Sequence, residues 1–446
     1  MHRRVQRWSV PLIFCCWATA APTPADAQGY AVPETGLRKN AMGAVIGRPD
    51  ELAAVYHNPA GLALQRGTQL YASVASVFIN TELRLRPWTH SSDFLGDPVD
   101  AENYYPADSP SAFAAIPMLV VSTELWPERL VGALSLYVPN AAGARFGKDS
   151  VVRYHLLDAY IFAGFFTATL AYRLAPWMQV GAGLSLAYVR IRSTRLIFSA
   201  DLLGNDLSGL LGKRSVLEFN GDDILPVANF GLLVRPHSSL SLGFAFVSGY
   251  SPKLKGEVSI AFGDDSPLPG EVFSGRQTTT TEAPWLFFFG ANWDVTRWLE
   301  VGAELRYYLH SVVKEQVTRL EIEALPLLDE LRQLKNWRDN YQVSGGINVK
   351  PLEGHPLELM AGIHFERAAS PSYAIVVEAP SFNHIGAHGG VRYAWRAYRI
   401  GLAFAHYRYL QRQTEHSVTF PPTNFIGRGY SNLLALVLER RFGSGR

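Results

Sequence analysis

The segment Leu299–Tyr308, LEVGAELRYY, indicates the fold class because two kinds of side chain alternate along it. Leucine, valine, alanine and tyrosine occupy every second position, and glutamate, glycine and arginine lie between them. A period of two is typical of a β-strand with one apolar and one polar face. The same pattern recurs in residues 178–188 (MQVGAGLSLAY) and 398–404 (YRIGLAF), where the second face is mainly small. The sequence therefore predicts an all-β fold with long antiparallel strands.

The small second face distinguishes a membrane barrel from a soluble β-sandwich. A sandwich buries its large apolar face and exposes charged side chains, whereas a membrane barrel turns the apolar face to lipid and the small or polar face to its lumen. No run of about 18 apolar residues follows the N-terminus, so spanning helices are not expected. A closed barrel is the other structure that satisfies every backbone group in lipid.

Short and long connections alternate along the chain. Short turns are predicted near Pro127, Pro176, Pro236, Asp294, Gly354 and Trp395. Long polar stretches lie at about 87–112, 141–160, 196–221, 252–281, 312–337, 369–383 and 411–429. We therefore predict a transmembrane antiparallel up-and-down β-barrel of about 14 strands, with the short turns and both termini in the periplasm.

Residues 1–27 are predicted to be a signal peptide. Arg3 and Arg4 precede an apolar stretch, and the small residues 25–27 (ADA) form a cleavage site. Cys15 and Cys16 lie inside this segment, so the exported chain should contain no disulfide and no thiol chemistry. The net charge is +2, and no basic run interleaved with aromatic residues indicates a nucleic-acid partner. The 12 histidines form no metal motif, and we expect neither a metal nor a cofactor.

Residues 28–65 do not alternate and precede the first strand. A barrel of about 14 strands has a lumen too wide for its own side chains to fill. We therefore predict that residues 28–65 form a plug, or hatch, inside a barrel built by residues 66–446.

The hatch region also resembles a known family. Residues 40–64, NAMGAVIGRPDELAAVYHNPAGLAL, are similar to the N-terminal hatch signature of the FadL family of outer-membrane transporters of long-chain fatty acids and aromatic hydrocarbons. Residues 219–260 and 336–395 resemble later parts of that family. The resemblance implies passive import: a hydrophobic substrate is captured among extracellular loops, waits for the hatch to shift, and leaves sideways through a gap at a kinked third strand.

The predicted hatch and gating residues surround an Asn-Pro bend. Pro59 restricts Asn58 to extended geometry, and Gly61 tolerates unusual backbone angles. The alternative is a plain turn that closes the preceding helix. The gating candidates are Gly43, Gly47, Asn58, Pro59, Ala60 and Gly61.

A lateral opening is predicted where residues 137–143, YVPNAAG, replace the family's Pro-Phe-Gly. Its candidates are Pro139, Asn140 and Gly143, and the alternative is the ordinary end of a strand. An apolar helical face in the third long loop is the candidate capture groove, with packing against a neighbouring loop as the alternative. Its residues are Leu203, Leu207, Leu210 and Leu211.

Arginines on the polar strand faces could bind a fatty-acid carboxylate in the lumen. The candidates are Arg306, Arg399 and Arg441, and the alternative is a ladder of mutually paired charges.

We expect a bacterial outer-membrane protein that imports long-chain fatty acids, not an enzyme. Uptake of monoaromatic hydrocarbons and a non-transporting role as a scaffold for a protein partner are the alternatives. A barrel hydrolase that uses a late-strand histidine (His364, His384, His388 or His406) ranks third. The expected partners are outer-membrane lipid, lipopolysaccharide and the barrel-assembly machinery, and the chain is expected to be a monomer.

Overall fold

The computed structural model describes residues 35–88, 91–95, 98, 104–110, 112–198, 210–351, 354–377 and 380–442. The expected signal peptide and the first seven residues of the expected hatch lie outside these ranges. One antiparallel sheet of eighteen segments dominates the described chain. The segments are β1 (Thr68–Leu85), β2 (Ala112–Trp126), β3 (Leu130–Arg145), β4 (Asp158–Ala175), β5 (Met178–Leu196), β6 (Val216–His237), β7 (Leu240–Val247), β8 (Lys253–Ala261), β9 (Val272–Thr280), β10 (Leu286–Asp294), β11 (Leu299–Tyr308), β12 (Glu315–Glu321), β13 (Glu330–Leu334), β14 (Asn340–Val349), β15 (Leu357–Glu366), β16 (His384–Trp395), β17 (Tyr398–Gln413) and β18 (Phe425–Phe442).

Eight of these segments are the halves of four interrupted strands: β7 with β8, β9 with β10, β11 with β12, and β13 with β14. The sheet closes because β1 pairs with β18 in a continuous register from Thr68–Phe442 to Leu85–Phe425. Fourteen antiparallel strands therefore form a closed barrel, which confirms the fold predicted from the alternation.

Two stretches that were expected to be long loops are largely strand. β8 pairs with β9 inside the polar stretch 252–281, and β12 pairs with β13 inside 312–337. Alternation persists there, with Leu254 and Val258 buried and Lys255 and Glu257 exposed. The outward residues of these hairpins are charged, so the apolar face that marks a lipid-contacting strand is missing. The sequence analysis therefore assigned these hairpins to loops, which was wrong.

The outer face of the barrel carries exposed leucine, phenylalanine and valine, as a lipid-contacting wall requires. Tryptophans at the short-turn ends of the strands form an aromatic girdle on that side. Its members, each about half exposed, are Trp126, Trp177, Trp293, Trp298 and Trp395. No helix in the described part of the chain is long and apolar enough to span a membrane.

The N-terminal segment, residues 35–66, lies inside the barrel near the short-turn end. It contains α1 (Leu37–Met42), α2 (Ala54–His57) and a 3-10 helix (Pro59–Leu64), and nearly all of its residues are buried. The described loops add a helical turn, α3 (Ser92–Leu95), and 3-10 turns at His310–Val312 and Ser372–Ala374. The α1 helix packs against β14 to β18, and the 3-10 helix packs against β3 to β6. The segment therefore bridges opposite sides of the lumen.

Candidate functional site

Asn58 fastens the bend of the N-terminal segment to the barrel wall. Its Nδ2 donates to the carbonyl oxygens of Ile46, at 3.0 Å, and of Leu232 on β6, at 3.1 Å. Its Oδ1 accepts a hydrogen bond from the Ala60 amide at 3.2 Å. One buried side chain thus closes the bend, joins it to the preceding loop and connects both to the wall.

The glycines of the segment allow close approach. A Cβ on Gly61 would lie 2.4 Å from the Pro49 carbonyl oxygen, and a Cβ on Gly47 would lie 2.5 Å from Asn292 Oδ1 on the wall. Gly43 ends α1 with φ of 76°, a left-handed conformation that favours glycine. The structure therefore places the predicted gating residues within the segment or at its contact with the wall.

Wall glycines form a belt around the N-terminal segment, which the sequence analysis missed. A Cβ on Gly243 would lie 1.9 Å from the Ile46 carbonyl oxygen, and one on Gly346 would lie 2.1 Å from that of Met42. The belt consists of Gly181, Gly231, Gly243, Gly290, Gly302, Gly346, Gly362, Gly390 and Gly401. The sequence does place a small residue at the matching position of strand after strand, and this pattern could have identified the belt.

Ion pairs anchor the segment on the short-turn side. Arg48 pairs with Asp294 at 2.6 Å and with Glu300 at 3.1 Å. Arg392 on β16 pairs with Asp50 at 2.9 Å and with Glu358 at 2.7 Å. Burial alone would raise the pKa of Asp50, but Arg392 and Arg38 hold it well below its usual range. The Asp50 carboxylate therefore stays charged.

Glu304 is the wall residue that holds the middle of the segment. Its Oε2 accepts hydrogen bonds from the backbone amides of Val45, at 2.7 Å, and Ile46, at 3.0 Å. Its Oε1 lies 3.1 Å from Lys39 Nζ and 2.5 Å from Arg306 Nε. The sequence analysis noted Glu304 only as a neighbour of Arg306, because the partner that it binds lies 258 residues away.

Two of the three predicted carboxylate-binding arginines already have acidic partners. Arg306 is fully buried, pairs with Glu304 and lies 3.1 Å from His57 Nδ1. Arg399 pairs with Glu439 at 3.2 Å. Arg441 lies at the short-turn end of β18, where its amide bonds to Ala397. A role for any of them in binding substrate stays a prediction, although the pairs match the alternative of a charge ladder.

The wall is interrupted at the predicted lateral opening. The β2–β3 ladder runs from the short turn to the pair Met118–Tyr137 and ends there. Beyond it, residues 112–117 pair with β1 alone and residues 140–145 pair with β4 alone, within the described chain. A register shift between Tyr137 and Asn140 marks a bulge that contains Pro139. The structure therefore places Pro139, Asn140 and Gly143 beside a gap between β2 and β3.

The gap lies at the height of the lipid-facing wall. Phe113, at its β2 edge, is exposed on the outer face and pairs in register with Phe78. The rings of Phe78 and Phe113 are 5.1 Å apart. An apolar molecule that leaves the lumen here would thus meet an apolar surface.

The loop end of the barrel contains an open cleft with a cavity volume of about 210 Å³. Apolar residues such as Ile161, Phe219 and Phe420 line it together with His155 and Arg195. Of the four leucines predicted to form a capture groove, Leu211 is fully buried and Leu210 packs partly buried against the core. Leu203 and Leu207 lie outside the described residues, so the groove stays a prediction.

The late-strand histidines occupy different surfaces. His364 Nδ1 lies 2.7 Å from His388 Nε2, and His388 Nδ1 lies 3.1 Å from the Asn40 carbonyl oxygen of the N-terminal segment. His384 packs beside His364, with their ring centres 5.0 Å apart. His406 bonds to Asn432 on the outer face instead. Within the described residues, no group of three His, Cys, Asp or Glu side chains is placed to hold a metal ion.

Comparisons with solved structures agree with this architecture. A Pseudomonas aeruginosa FadL homologue aligns with a TM-score of 0.78 at 14% identity, over 93% of this chain and 100% of its own. The Pseudomonas putida toluene transporter TodX aligns with a TM-score of 0.72 at 17% identity, over 94% and 100%. The Ralstonia pickettii toluene transporter TbuX aligns with a TM-score of 0.65 at 16% identity, over 92% and 98%. At these identities the similarity shows the shared fold.

A search of curated protein sequences finds no match. The family model described as outer membrane protein transport protein (OMPP1/FadL/TodX) matches residues 18–417, most of the chain. The chain therefore belongs to the OMPP1/FadL/TodX family of outer-membrane transport proteins.

Proposed function

We propose that the protein imports a hydrophobic small molecule by passive diffusion, with the N-terminal segment as a hatch and the gap between β2 and β3 as the exit. The observation that carries this proposal is the end of the β2–β3 ladder at Met118–Tyr137, on the loop side of the hatch. A molecule that enters from the loops meets the hatch below and the gap at its side. Movement down a concentration gradient requires no catalytic residue.

A long-chain fatty acid is the leading substrate. The loop-end cleft combines apolar side chains with the guanidinium group of Arg195, which suits a long apolar body with a carboxylate head. The solved relatives TodX and TbuX are named toluene transporters, and a monoaromatic hydrocarbon is therefore the alternative. Uptake of radiolabelled oleate and toluene, each measured with the other as competitor, distinguishes the two substrates. Failure of both would favour a scaffold role for the barrel.

Filling the gap tests the lateral exit. Ala141 lies directly after the β3 bulge, is buried, and lines a small pocket with Ala163 and Tyr250. We expect Ala141→Trp to lower oleate uptake about tenfold, because an indole ring would occupy the exit. Ala168→Trp is the matched control, since Ala168 is exposed on the outer face of β4. Equal uptake by both variants would exclude exit through this gap.

We further propose that lipopolysaccharide phosphates contact a basic part of the outer wall. Arg367, Arg408 and Arg428 are exposed at the loop side of the lipid-facing residues Phe404 and Leu434. Arginine suits phosphate binding because its donors form a planar fork. Insertion by the barrel-assembly machinery and a monomeric state stay predictions.

A further inference from the structure

Four aromatic side chains form a row that leads from the hatch to the gap. The ring centres of Tyr56 and Tyr137 are 5.7 Å apart, those of Tyr137 and Phe165 are 5.7 Å apart, and those of Phe165 and Tyr250 are 6.1 Å apart. These separations lie within the range of favourable aromatic pairs. We call Tyr56, Tyr137, Phe165 and Tyr250 the aromatic row.

The two ends of the row lie on parts of the molecule that have different roles. Tyr56 belongs to α2, two residues before Asn58, and is almost fully buried. Tyr137 is the last β3 residue that pairs with β2, and it precedes the bulge. The row therefore connects the hatch bend with the place where the wall opens.

Tyr250 reaches the bulge from an interruption in the wall. It lies between β7 and β8, where its backbone pairs with Ala283 in an isolated bridge. Its hydroxyl accepts a hydrogen bond from Asn140 Nδ2 at 2.5 Å. Asn140 is the first β3 residue after the bulge that resumes pairing with β4.

This contact matters because, in the part of the chain that the structure describes, the portion of β3 beyond the bulge is paired with β4 but not with β2. Residues 140–145 pair with β4 alone within the described chain, so their position depends more on side chains than that of a fully paired strand. The Asn140–Tyr250 hydrogen bond and the ring of Tyr250 restrain the lumen side of this half. Tyr137 is restrained separately, because its hydroxyl accepts a hydrogen bond from Thr167 at 3.2 Å.

We infer that Tyr250 is a positioning residue that holds the β3 bulge closed through Asn140, and that the aromatic row transmits displacement of Tyr56 to this contact. The inference rests on the proposed function, because it assigns the closed state of the exit to one side-chain pair. A shift of the hatch would move Tyr56 away from Tyr137, loosen the packing on Phe165 and release Tyr250 from Asn140.

A cysteine reporter tests this coupling. Both natural cysteines lie in the expected signal peptide, so Ala141→Cys would provide a single thiol beside the gap, at a position that is buried in the folded protein. Its labelling by a lipid-soluble maleimide, with the protein in vesicles, measures how often the gap opens towards the membrane. Tyr250→Phe keeps the ring but removes the acceptor of Asn140. We expect this variant to label about fivefold faster, as the loss of one hydrogen bond predicts.

A double-mutant cycle separates the contact from general loosening. Asn140→Ala should accelerate labelling as Tyr250→Phe does, and the double variant should add little, because both changes remove the same interaction. Tyr56→Leu should also accelerate labelling if the row transmits the displacement. Tyr393→Phe is the control, since Tyr393 is exposed on β16 and absent from the aromatic row. Labelling at the wild-type rate in Tyr250→Phe and Asn140→Ala would overturn the inference, and so would additive effects.

Transport kinetics distinguish this inference from the proposed function. In Tyr250→Phe we expect a higher maximal rate of oleate uptake with an unchanged KM, because the exit opens more readily while capture is unaffected. If the wild type imports oleate and Tyr250→Phe matches it in both parameters, the role inferred for Tyr250 is wrong and the proposed import is still supported. If the wild type imports neither oleate nor toluene, import fails, and the labelling cycle still decides whether the contact holds the bulge closed.

Discussion

At the scale of single residues, Asn58 has the clearest structural role. Without its side chain, the carbonyl oxygens of Ile46 and Leu232 lose a donor inside the barrel. We expect Asn58→Ala to destabilise docking of the hatch by about 2 kcal/mol while the barrel melts as before. Hydrogen exchange of the hatch amides measures docking, and Asn432→Ala is the control, since Asn432 bonds to His406 on the outer face of the wall. Unchanged exchange in Asn58→Ala would contradict the role of Asn58 as an anchor.

Glu51 should make hatch docking depend on pH. Burial, reinforced by the charge of Asp50, raises the pKa of Glu51 from 4.5 to about 7. The carboxyl group contacts the amides of Leu37 and Arg38 and lies near the Tyr71 hydroxyl. The docked hatch then binds a proton that a hydrated Glu51 would release above pH 4.5. The contribution of Glu51 to docking is therefore largest below about pH 4.5, falls as the pH rises to about 7, and levels off above it. His57 of the same segment acts in the opposite direction, because burial lowers its pKa from 6.5 to about 3.

Hydrogen exchange, corrected for its intrinsic pH dependence, checks this expectation. Glu51→Gln cannot ionise, so the wild type should lose about 3 kcal/mol of docking relative to this variant as the pH rises from 4.5 to about 7, the value of a shift of this size. The same pH dependence in the two proteins would refute the assignment to Glu51.

At the scale of elements, β14 offers adjacent glycines for a matched test of the belt. A Cβ on Gly346 would lie 2.1 Å from the Met42 carbonyl oxygen, whereas one on Gly345 meets nothing closer than 3.6 Å. We therefore expect Gly346→Ala to displace the hatch and Gly345→Ala to leave it docked. Limited proteolysis of folded protein in detergent should cleave residues 35–66 only in Gly346→Ala. Resistance of both variants to proteolysis would show that the barrel wall moves to accommodate the added methyl group and the hatch stays docked.

The strands also show where a local pattern stops being informative. Alternation located β11 because its outer residues contact lipid and its inner residues are small or charged. The hairpin β8–β9 lies beyond the lipid, where charged outer residues are stable, and the same rule therefore assigned it to a loop. The alternation of apolar and polar residues is therefore recognisable where the outer face of a strand contacts lipid, and not in every strand.

At the scale of the whole molecule, the hatch should determine whether the barrel conducts ions. Deleting residues 35–66 would remove Arg48, Lys39 and Asp50, which pair with Glu300, Glu304 and Arg392 of the wall, and water would replace them in a lumen too wide for side chains to fill. We expect the truncated protein to fold and to form ion-conducting pores in planar bilayers, and the full chain to be silent. Equal conductance of the two proteins would mean that the hatch does not seal the lumen.

The closed barrel of about fourteen strands and the Asn-Pro bend before the first strand could both be predicted from the amino-acid sequence. These features follow from alternation and backbone restriction, which are local. The contacts of Glu304 with Val45, of Arg306 with His57 and of Tyr250 with Asn140 are visible only in the folded structure. Those contacts depend on strand register, on closure and on the path of the hatch across the lumen. They join residues up to hundreds of positions apart, and no short pattern in the sequence encodes them.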